Sequence, residues 1–208
     1  MSENGLENFA NVVTVLAACG GVFIAWLGLS TWKKQIKWQQ DQELVRRILK
    51  LIFTYRNAFL DARSPWFPGW ETSEDGEAEE INETPEHKYR MQFRAHRKRL
   101  NRFLSLKPAI SSDVIEAEVL WDTDLGQLWD KTLRLESEYL NEFETFSDYS
   151  KPSNERRLQG LYTNKDDQLR GYSVVFSRGA ANDEFGVRLR NSIEAIRNYL
   201  KGKIGESR

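Results

Sequence analysis

Side chains able to form covalent intermediates or to bind metal ions are scarce in this sequence of 208 residues. It contains one cysteine, Cys19, and two histidines, His87 and His96. A structural zinc site takes about four Cys, His or carboxylate ligands, and a catalytic triad needs a histidine held by a third group. The P-loop, nucleophile-elbow and H-E-x-x-H patterns do not occur. We therefore predict no metal, no cofactor and no His-based triad.

Arg90 and His96 are a pair whose spacing matches a catalytic signature. The stretch Arg90-Met-Gln-Phe-Arg-Ala-His96 resembles the R-x5-H motif of the helical HEPN ribonucleases. This resemblance implies that Arg90 and His96 attend a scissile phosphate, and a membrane-bound ribonuclease is therefore one alternative function. His96 also falls on the apolar stripe of a predicted helix, and we prefer to interpret it as a core-lining histidine.

The segment from Phe9 to Trp32 has the length and composition of a membrane anchor. No charged residue occurs between Glu7 and Lys33. About 20 apolar residues span a bilayer core of about 30 Å, so this segment is long enough to cross with some tilt. We predict a single transmembrane helix, contacting membrane lipid, at residues 9–32.

Basic residues follow this segment closely, whereas the short tail before it contains only acidic charges. The tail carries Glu3 and Glu7, and the basic residues are Lys33, Lys34, Lys37, Arg46 and Arg47. The positive-inside bias predicts an N-terminus outside and a C-terminal domain in the cytoplasm. The expected location is the inner (cell) membrane of a bacterium.

Cys19 allows a second interpretation of residues 9–32, in which the protein is a lipoprotein anchored at this cysteine. Leu16-Ala17-Ala18-Cys19 matches the small-residue pattern before the lipid-modified cysteine of bacterial lipoproteins. The residues after it, Gly20 to Trp26, stay apolar where a mature lipoprotein would turn polar. A cleaved signal peptide would instead need a basic start and a shorter apolar run. We prefer the transmembrane helix and keep the lipoprotein anchored at Cys19 as an alternative.

Small residues recur at helical spacing inside the predicted anchor. Such a stripe lets two helix backbones approach closely in lipid. We predict self-association through Ala17, Gly21, Ala25 and Gly28. The other interpretation is that glycine and alanine are simply common in membrane helices.

The remaining chain, residues 33–208, is long enough for one cytoplasmic domain, preceded by the anchor and by a tail at residues 1–8. The net charge of −1 indicates no particular partner.

Residues 64–87 form a loop rich in proline, glycine and carboxylates, and residues 150–182 form an irregular insertion. The carboxylates could attract a divalent cation, but they lack a fixed ligand spacing, and we interpret them as a solvated loop.

Helical periodicity predicts a mainly α fold, an antiparallel bundle of about four helices. The first helix runs to Arg63, directly before Ser64-Pro65, and its apolar stripe is Leu44, Ile48, Leu51, Tyr55, Phe59 and Ala62. The last begins with Asn182 or Asp183 as cap, and its stripe is Phe185, Leu189, Ile193, Ile196 and Leu200. Tyr172 to Phe176 has strand composition, which predicts a small β-hairpin with Gly160-Leu161-Tyr162.

A basic helix from Lys88 to Lys107 precedes an acidic segment from Asp113 to Asp148. The basic surface consists of Arg94, Arg97, Lys98, Arg99 and Arg102. It could bind nucleic acid or anionic lipid. We instead predict that the two segments pack as an antiparallel hairpin, joined at Lys107-Pro108-Ala109, and do not expect nucleic acid. A break in the acidic segment is predicted at Asp122-Thr123-Asp124.

Several short motifs resemble those of a group of bacterial single-pass membrane proteins with no assigned activity. The motifs are Trp32-Lys33-Lys34-Gln35, Glu43-Leu44-Val45-Arg46-Arg47, Val119-Leu120-Trp121 and Asp183-Glu184-Phe185-Gly186. The resemblance implies an N-terminal membrane helix and a cytoplasmic helical domain. We expect a non-enzymatic scaffold or signalling module that binds an unknown protein partner or a second copy of itself.

Overall fold

The computed structural model describes residues 3–68, 71, 84–149, 171–176 and 183–206. Over these residues the protein is mainly helical. The helices are α1 (Glu3–Ala62), α2 (Pro85–Leu104), α3 (Lys107–Leu120), α4 (Asp124–Tyr149) and α5 (Glu184–Glu206). The chain divides into two compact units, one of residues 1–43 with 203–208 and the other of residues 44–202.

Helix α1 runs from Glu3 to Ala62, and its last turns, from Leu44 onward, belong to the second unit. The predicted stripe is confirmed, because Leu44, Ile48, Tyr55, Phe59 and Ala62 are each at most 2% exposed. Leu51 is intermediate. The helix ends at Ala62, before Pro65, where proline restricts the preceding backbone.

Helices α2, α3 and α4 form the antiparallel hairpin, but its turn is not where the sequence predicted. Lys107 and Pro108 form the first turn of α3, because proline is well tolerated at the first helical positions. The chain reverses instead at residues 121–123, the predicted break. There the Asp122 carboxylate accepts a hydrogen bond at 3.0 Å from the N–H of Asp124, the first residue of α4. The Glu118 carboxylate lies close to Gly126, and a side chain at position 126 would require this flexible group to move.

Residue pairs along α2, α3 and α4 confirm that the arms are antiparallel. Tyr89 lies near Ser147, Phe93 near Phe143, and Trp129 donates to Ser111. Lys107 pairs with the buried Glu136, which also accepts a 2.7 Å hydrogen bond from Tyr55 of α1. Burial and then the Glu136 carboxylate raise the pKa of the Tyr55 phenol, so it stays a donor.

Helix α5 begins as predicted, with Asp183 as its cap. The Gly186 N–H donates to the Asp183 carboxylate at 2.9 Å. The predicted buried stripe of α5 is confirmed, since all five residues are at most 2% exposed. Arg188 with Glu138, and Ser192 with Thr132, show that α5 runs antiparallel to α4.

The second unit is an up-down-up-down bundle of α1, the α2–α3 arm, α4 and α5. Phe59 of α1 marks its centre. The Phe59 ring stacks on Phe103 of α2 at 4.8 Å and meets Tyr139 of α4 edge-on at 5.0 Å. It also contacts Phe185 of α5, with ring centroids 6.1 Å apart. Such aromatic pairs add to the free energy of burial, and they join all four members of the bundle.

The predicted β-hairpin is wrong for its second half. Residues 171–175 are helical, and the described residues contain no strand. Val174, Val175 and Phe176 are buried, so tertiary packing overrides the strand preference of this β-branched run. Gly160-Leu161-Tyr162, the other half, lies outside the described residues.

In the part of the chain that the structure describes, we find no helix that is long and apolar enough to cross a membrane. The predicted anchor at residues 9–32 belongs to α1. Its side chains before Leu16, and those of Ala17 and Ala18, lie outside the described residues.

Candidate functional site: an aromatic cavity between two buried arginines

Arg63, directly after α1, is completely buried. Its guanidinium forms a two-point ion pair with Asp183, with Nη1 2.9 Å from Oδ2 and Nη2 2.7 Å from Oδ1. Nε donates to the carbonyl of Val174, and Nη2 donates to that of Ser173. The group also lies over the Phe185 ring, 4.6 Å from its centroid. Arg63 therefore holds the segment 171–176 and the start of α5 against the end of α1.

The ion pair explains the Asp183-Glu184-Phe185-Gly186 motif. Asp183 both caps α5 and balances the buried Arg63, and Phe185 packs in the core. A Cβ atom at position 186 would collide with an oxygen of the Asp183 carboxylate, which Arg63 holds in place, and would lie 3.1 Å from Nη1 of Arg63. Glycine is needed there because the carboxylate and the guanidinium approach the helix backbone.

Arg99 of α2 is a second buried arginine, and it holds residues 64–67, the segment after α1. Its Nε lies 2.6 Å from the Glu71 carboxylate, and both side chains are 5% exposed. Its other nitrogens donate to the backbone carbonyls of Asp61, Ser64 and Trp66. The guanidinium also covers the Phe67 ring at 4.6 Å. Arg99 thereby holds residues 64–67 against α2 through the carbonyl groups of Ser64 and Trp66.

An aromatic cavity lies between these two segments, with α2 and α4 as its remaining walls. It has a volume of about 240 Å³. Its walls include Phe67, Phe93, His96, Phe143, Phe146 and Phe176. None of the described residues that line it carries an acidic or basic side chain other than His96. A cavity of this size has room for a molecule about as large as benzene.

His96 lies in the wall together with the polar residues Tyr89, Gln92, Ser147 and Tyr172, and it is 7% exposed. Burial, then the positive charge of Arg99, lower its pKa to about 4, although a hydrogen bond with the Ala62 backbone acts in the opposite direction. The ring is therefore neutral at neutral pH. Its Nδ1 atom has no hydrogen-bond partner among the described residues. The predicted core position of His96 is confirmed.

Arg90, the other residue of the R-x5-H motif, does not share this site. Its side chain is exposed and is not among the described residues that line the cavity. A neutral, buried imidazole is also a poor proton donor to a leaving group. The arrangement gives no support to the ribonuclease alternative.

The basic surface is only partly where the sequence placed it. Arg97, Lys98 and Arg102 are exposed, and Arg94 is intermediate. Arg99 does not belong to this surface, because it is buried with Glu71. Arg102 lies 3.6 Å from Asp61 of α1. For Arg99 and Arg102 the predicted pairing with the acids of residues 113–148 is therefore wrong.

The acidic segment finds its positive partners mainly on other helices. Arg47 of α1 forms ion pairs with Asp113 and Glu116 of α3, and Arg188 of α5 pairs with Glu138 of α4. Lys107, at the end of the basic run, does pair with Glu136. Charge complementarity is thus internal, but it joins α1 and α5 to the acidic helices.

Among the described side chains of the first unit, the large apolar residues of α1 between Val22 and Trp26 are exposed. Exposure is 71% for Val22, 60% for Phe23, 70% for Ile24 and 63% for Trp26. The positions of the predicted small-residue stripe are open, because a Cβ atom added at Gly21 or Gly28 would meet nothing within 4 Å. Ala25 is exposed, and Ala17 lies outside the described side chains. Self-association of this stripe stays a prediction.

In the described ranges, no three His, Cys, Asp or Glu side chains are grouped so that they could hold a metal ion. Most of the carboxylates predicted for the acidic loop lie in residues 72–83, outside the described residues. Glu71 is described, and it pairs with Arg99.

Comparisons with protein families, with curated proteins and with solved structures find no match to this chain.

Proposed function

We propose that this protein is a single-pass membrane-anchored module of the bacterial cell membrane that acts by binding proteins, including a second copy of itself. The observation that carries the proposal is the uncovered apolar surface of α1 between residues 16 and 32. Leu16, Leu27, Leu29 and Trp32 extend the surface described above, with exposures of 44% to 67%. An apolar surface of this extent is unfavourable in water, at about 25 cal/mol for each Å².

A bilayer is the partner that suits a helix with apolar side chains on all sides. Its backbone hydrogen bonds are satisfied within the helix, which hydrocarbon requires. Lys33, Lys34 and Lys37 follow the apolar stretch and are exposed. By the positive-inside bias these lysines lie in the cytoplasm, with the chain that follows them.

The proposed contact between two copies is the face that contains Ala17, Gly21, Ala25 and Gly28. Small residues at this spacing allow two helix backbones to approach, and the open space at Gly21 and Gly28 supports such an approach. Cys19 points away from this face. At about 3.6 residues per turn it lies roughly 165° from the mean direction of the four small residues.

Cysteine cross-linking in native membranes tests this proposal. A variant with Cys19→Ser and Ala25→Cys places its single thiol on the proposed face, and mild oxidation should produce a disulfide-linked dimer. The wild-type protein, whose single thiol is Cys19, is the matched control and should not form a disulfide-linked dimer, because Cys19 points away from the contact.

Adding Gly21→Leu to the Ala25→Cys variant should reduce the dimer, because the larger side chain separates the backbones. Equal cross-linking through position 25 and through Cys19 would contradict a specific face. A chain recovered in the soluble fraction, without membranes, would contradict the anchor itself.

A further inference from the structure

One side of α2 carries a row of positive charges that the described acids leave unpaired. The row consists of Arg90, Arg97 and Lys98, which are exposed and form no ion pair with any residue that the structure describes. At about 3.6 residues per turn the three lie within about 100° of one another around the helix. The acids of residues 113–148 pair mainly with Arg47 and Arg188 instead. The row is therefore available to an anionic partner.

The aromatic cavity lies directly beside this row. Phe93 lines the cavity, and the Arg97 guanidinium lies over the Phe93 ring, 5.7 Å from its centroid. Arg90 precedes Phe93 by three residues, which makes the two neighbours on the helix surface. Gln92 also lines the cavity and is exposed, so the cavity reaches the surface of α2. One aromatic ring and several negative charges could thus be bound side by side.

The extent of the row restricts the kind of anionic partner. From Arg90 to Lys98 it covers about 12 Å of α2, which about four residues of an extended peptide would match. A longer polyanion such as a nucleic acid would pass beyond the row and meet the acidic helix α3. Nucleic-acid-binding domains are also usually strongly basic, whereas this chain has a net charge of −1. A lipid surface has no aromatic ring for the cavity.

The walls of the cavity are held in place before a partner binds. Arg63 holds the segment that carries Phe176, and Arg99 holds the segment that carries Phe67. Little free energy is then spent on ordering these walls. An aromatic side chain that fills a pocket at the centre of a contact commonly supplies much of the binding free energy between proteins.

We propose that this surface binds a short acidic segment of a partner protein, with one aromatic side chain of the segment in the cavity. Its carboxylates pair with Arg90, Arg97 and Lys98. The inference rests on the proposed function, because it specifies the chemistry of a protein partner. It is independent of the bilayer and of the contact between two copies through α1.

Fluorescence anisotropy of the labelled peptide Glu-Glu-Phe-Glu-Glu with the full-length protein in non-ionic detergent micelles tests the proposal. At an ionic strength of about 0.1 M, charges more than about 10 Å apart are largely screened. The variant that combines Arg90→Gln, Arg97→Gln and Lys98→Gln should bind the peptide about 3- to 150-fold more weakly, the range for three exposed charge pairs.

A matched variant controls for the change in net charge. Combining Arg46→Gln, Lys50→Gln and Arg190→Gln also removes three exposed positive charges, but from α1 and α5. This control variant should bind the peptide as the wild type does. An equal loss of affinity in both variants, or no binding of the peptide to the wild type, would overturn the proposed surface.

Two further probes test the aromatic anchor and the class of partner. Replacing the peptide's phenylalanine with alanine should weaken binding to the wild type by about 10- to 150-fold, because the ring no longer fills the cavity. Equal affinities of the two peptides would overturn the part played by the cavity. Tighter binding of a thymidine tetranucleotide, lost in the α2 variant, would assign the surface to nucleic acid and overturn the protein partner. No bilayer is present, so failure of the proposed anchor would leave these results unchanged.

Discussion

Replacing Arg63 with methionine should destabilise the helical bundle by about 3–5 kcal/mol, because it leaves a buried charge without its partner. Asp183 is 4% exposed, and it would remain as a carboxylate facing an apolar side chain. The carbonyl groups of Ser173 and Val174 would also lose their donors. Urea denaturation of the full-length protein in micelles, followed by circular dichroism, measures the change in the free energy of unfolding.

Arg102→Met is the matched control for this experiment. Arg102 and Asp61 are 54% and 59% exposed, with 3.6 Å between the charged atoms. Exposed pairs of this kind contribute about 0.2–1 kcal/mol. Adding Asp183→Asn to Arg63→Met should recover part of the loss, since the unpaired charge is removed while the amide can still cap α5. Similar stabilities of the Arg63→Met and Arg102→Met variants would contradict a supporting role of the buried pair.

The pH dependence of stability should show that His96 is buried in its neutral form. Its pKa is about 4 in the folded protein and 6.5 without the fold. Below pH 6.5 the unfolded chain binds a proton that the folded protein excludes, so stability falls as the pH drops from 6.5 to 4. The difference between the two pKa values corresponds to about 3 kcal/mol in the free energy of unfolding. Above pH 6.5 both states are neutral and this contribution is constant.

Urea titrations of the wild-type and the His96→Phe proteins at several pH values isolate this effect. Carboxylates contribute equally to both proteins, so the wild type should lose stability relative to the variant as the pH falls from 6.5 to 4. His87→Gln should behave as the wild type does, because His87 is not among the buried residues. The contrary result is a difference in the free energy of unfolding between the wild type and His96→Phe that is the same at every pH. That result would show that His96 has the same pKa in the folded and the unfolded state, and it would contradict the prediction.

Features of the fold that depend on local spacing could be predicted from the sequence. The buried faces of α1 and α5 follow from apolar residues at helical intervals, and the Asp183 cap follows from its side chain at the start of such a run. The break before Asp124 was also predicted. The start of α2 at Pro85 was not, although the Thr84 side chain accepts a hydrogen bond from the His87 N–H as an N-cap.

The segment 171–176 shows where local composition fails. Its β-branched and aromatic residues predicted a strand, yet Val174, Val175 and Phe176 are buried in a helical turn that Arg63 holds. The wall of the cavity that contains Phe176 is thus held by Arg63, which lies 111 positions from Val174 in the sequence. No periodicity within the segment itself could predict this contact.

The two buried arginines could not be paired with their carboxylates from the sequence. Arg63 and Asp183 are 120 positions apart, and Arg99 and Glu71 are 28 apart. A positional signal was nevertheless present. Arg63 follows Phe59 by four residues, and Arg99 lies between His96 and Phe103 at helical spacing, so both continue buried stripes. A charged residue on such a stripe predicts a buried ion pair, although it does not identify the partner.

The central proposal, that α1 crosses the bilayer, is tested most directly by labelling Cys19 with a charged maleimide in native vesicles. Cys19 is the one cysteine of the chain, and it is exposed on α1. We expect no labelling in inverted vesicles, because a charged reagent does not enter hydrocarbon, and full labelling after the membrane is dissolved. A Lys37→Cys variant that also carries Cys19→Ser should react at once in inverted vesicles. Rapid labelling of Cys19 in intact vesicles would contradict the proposal.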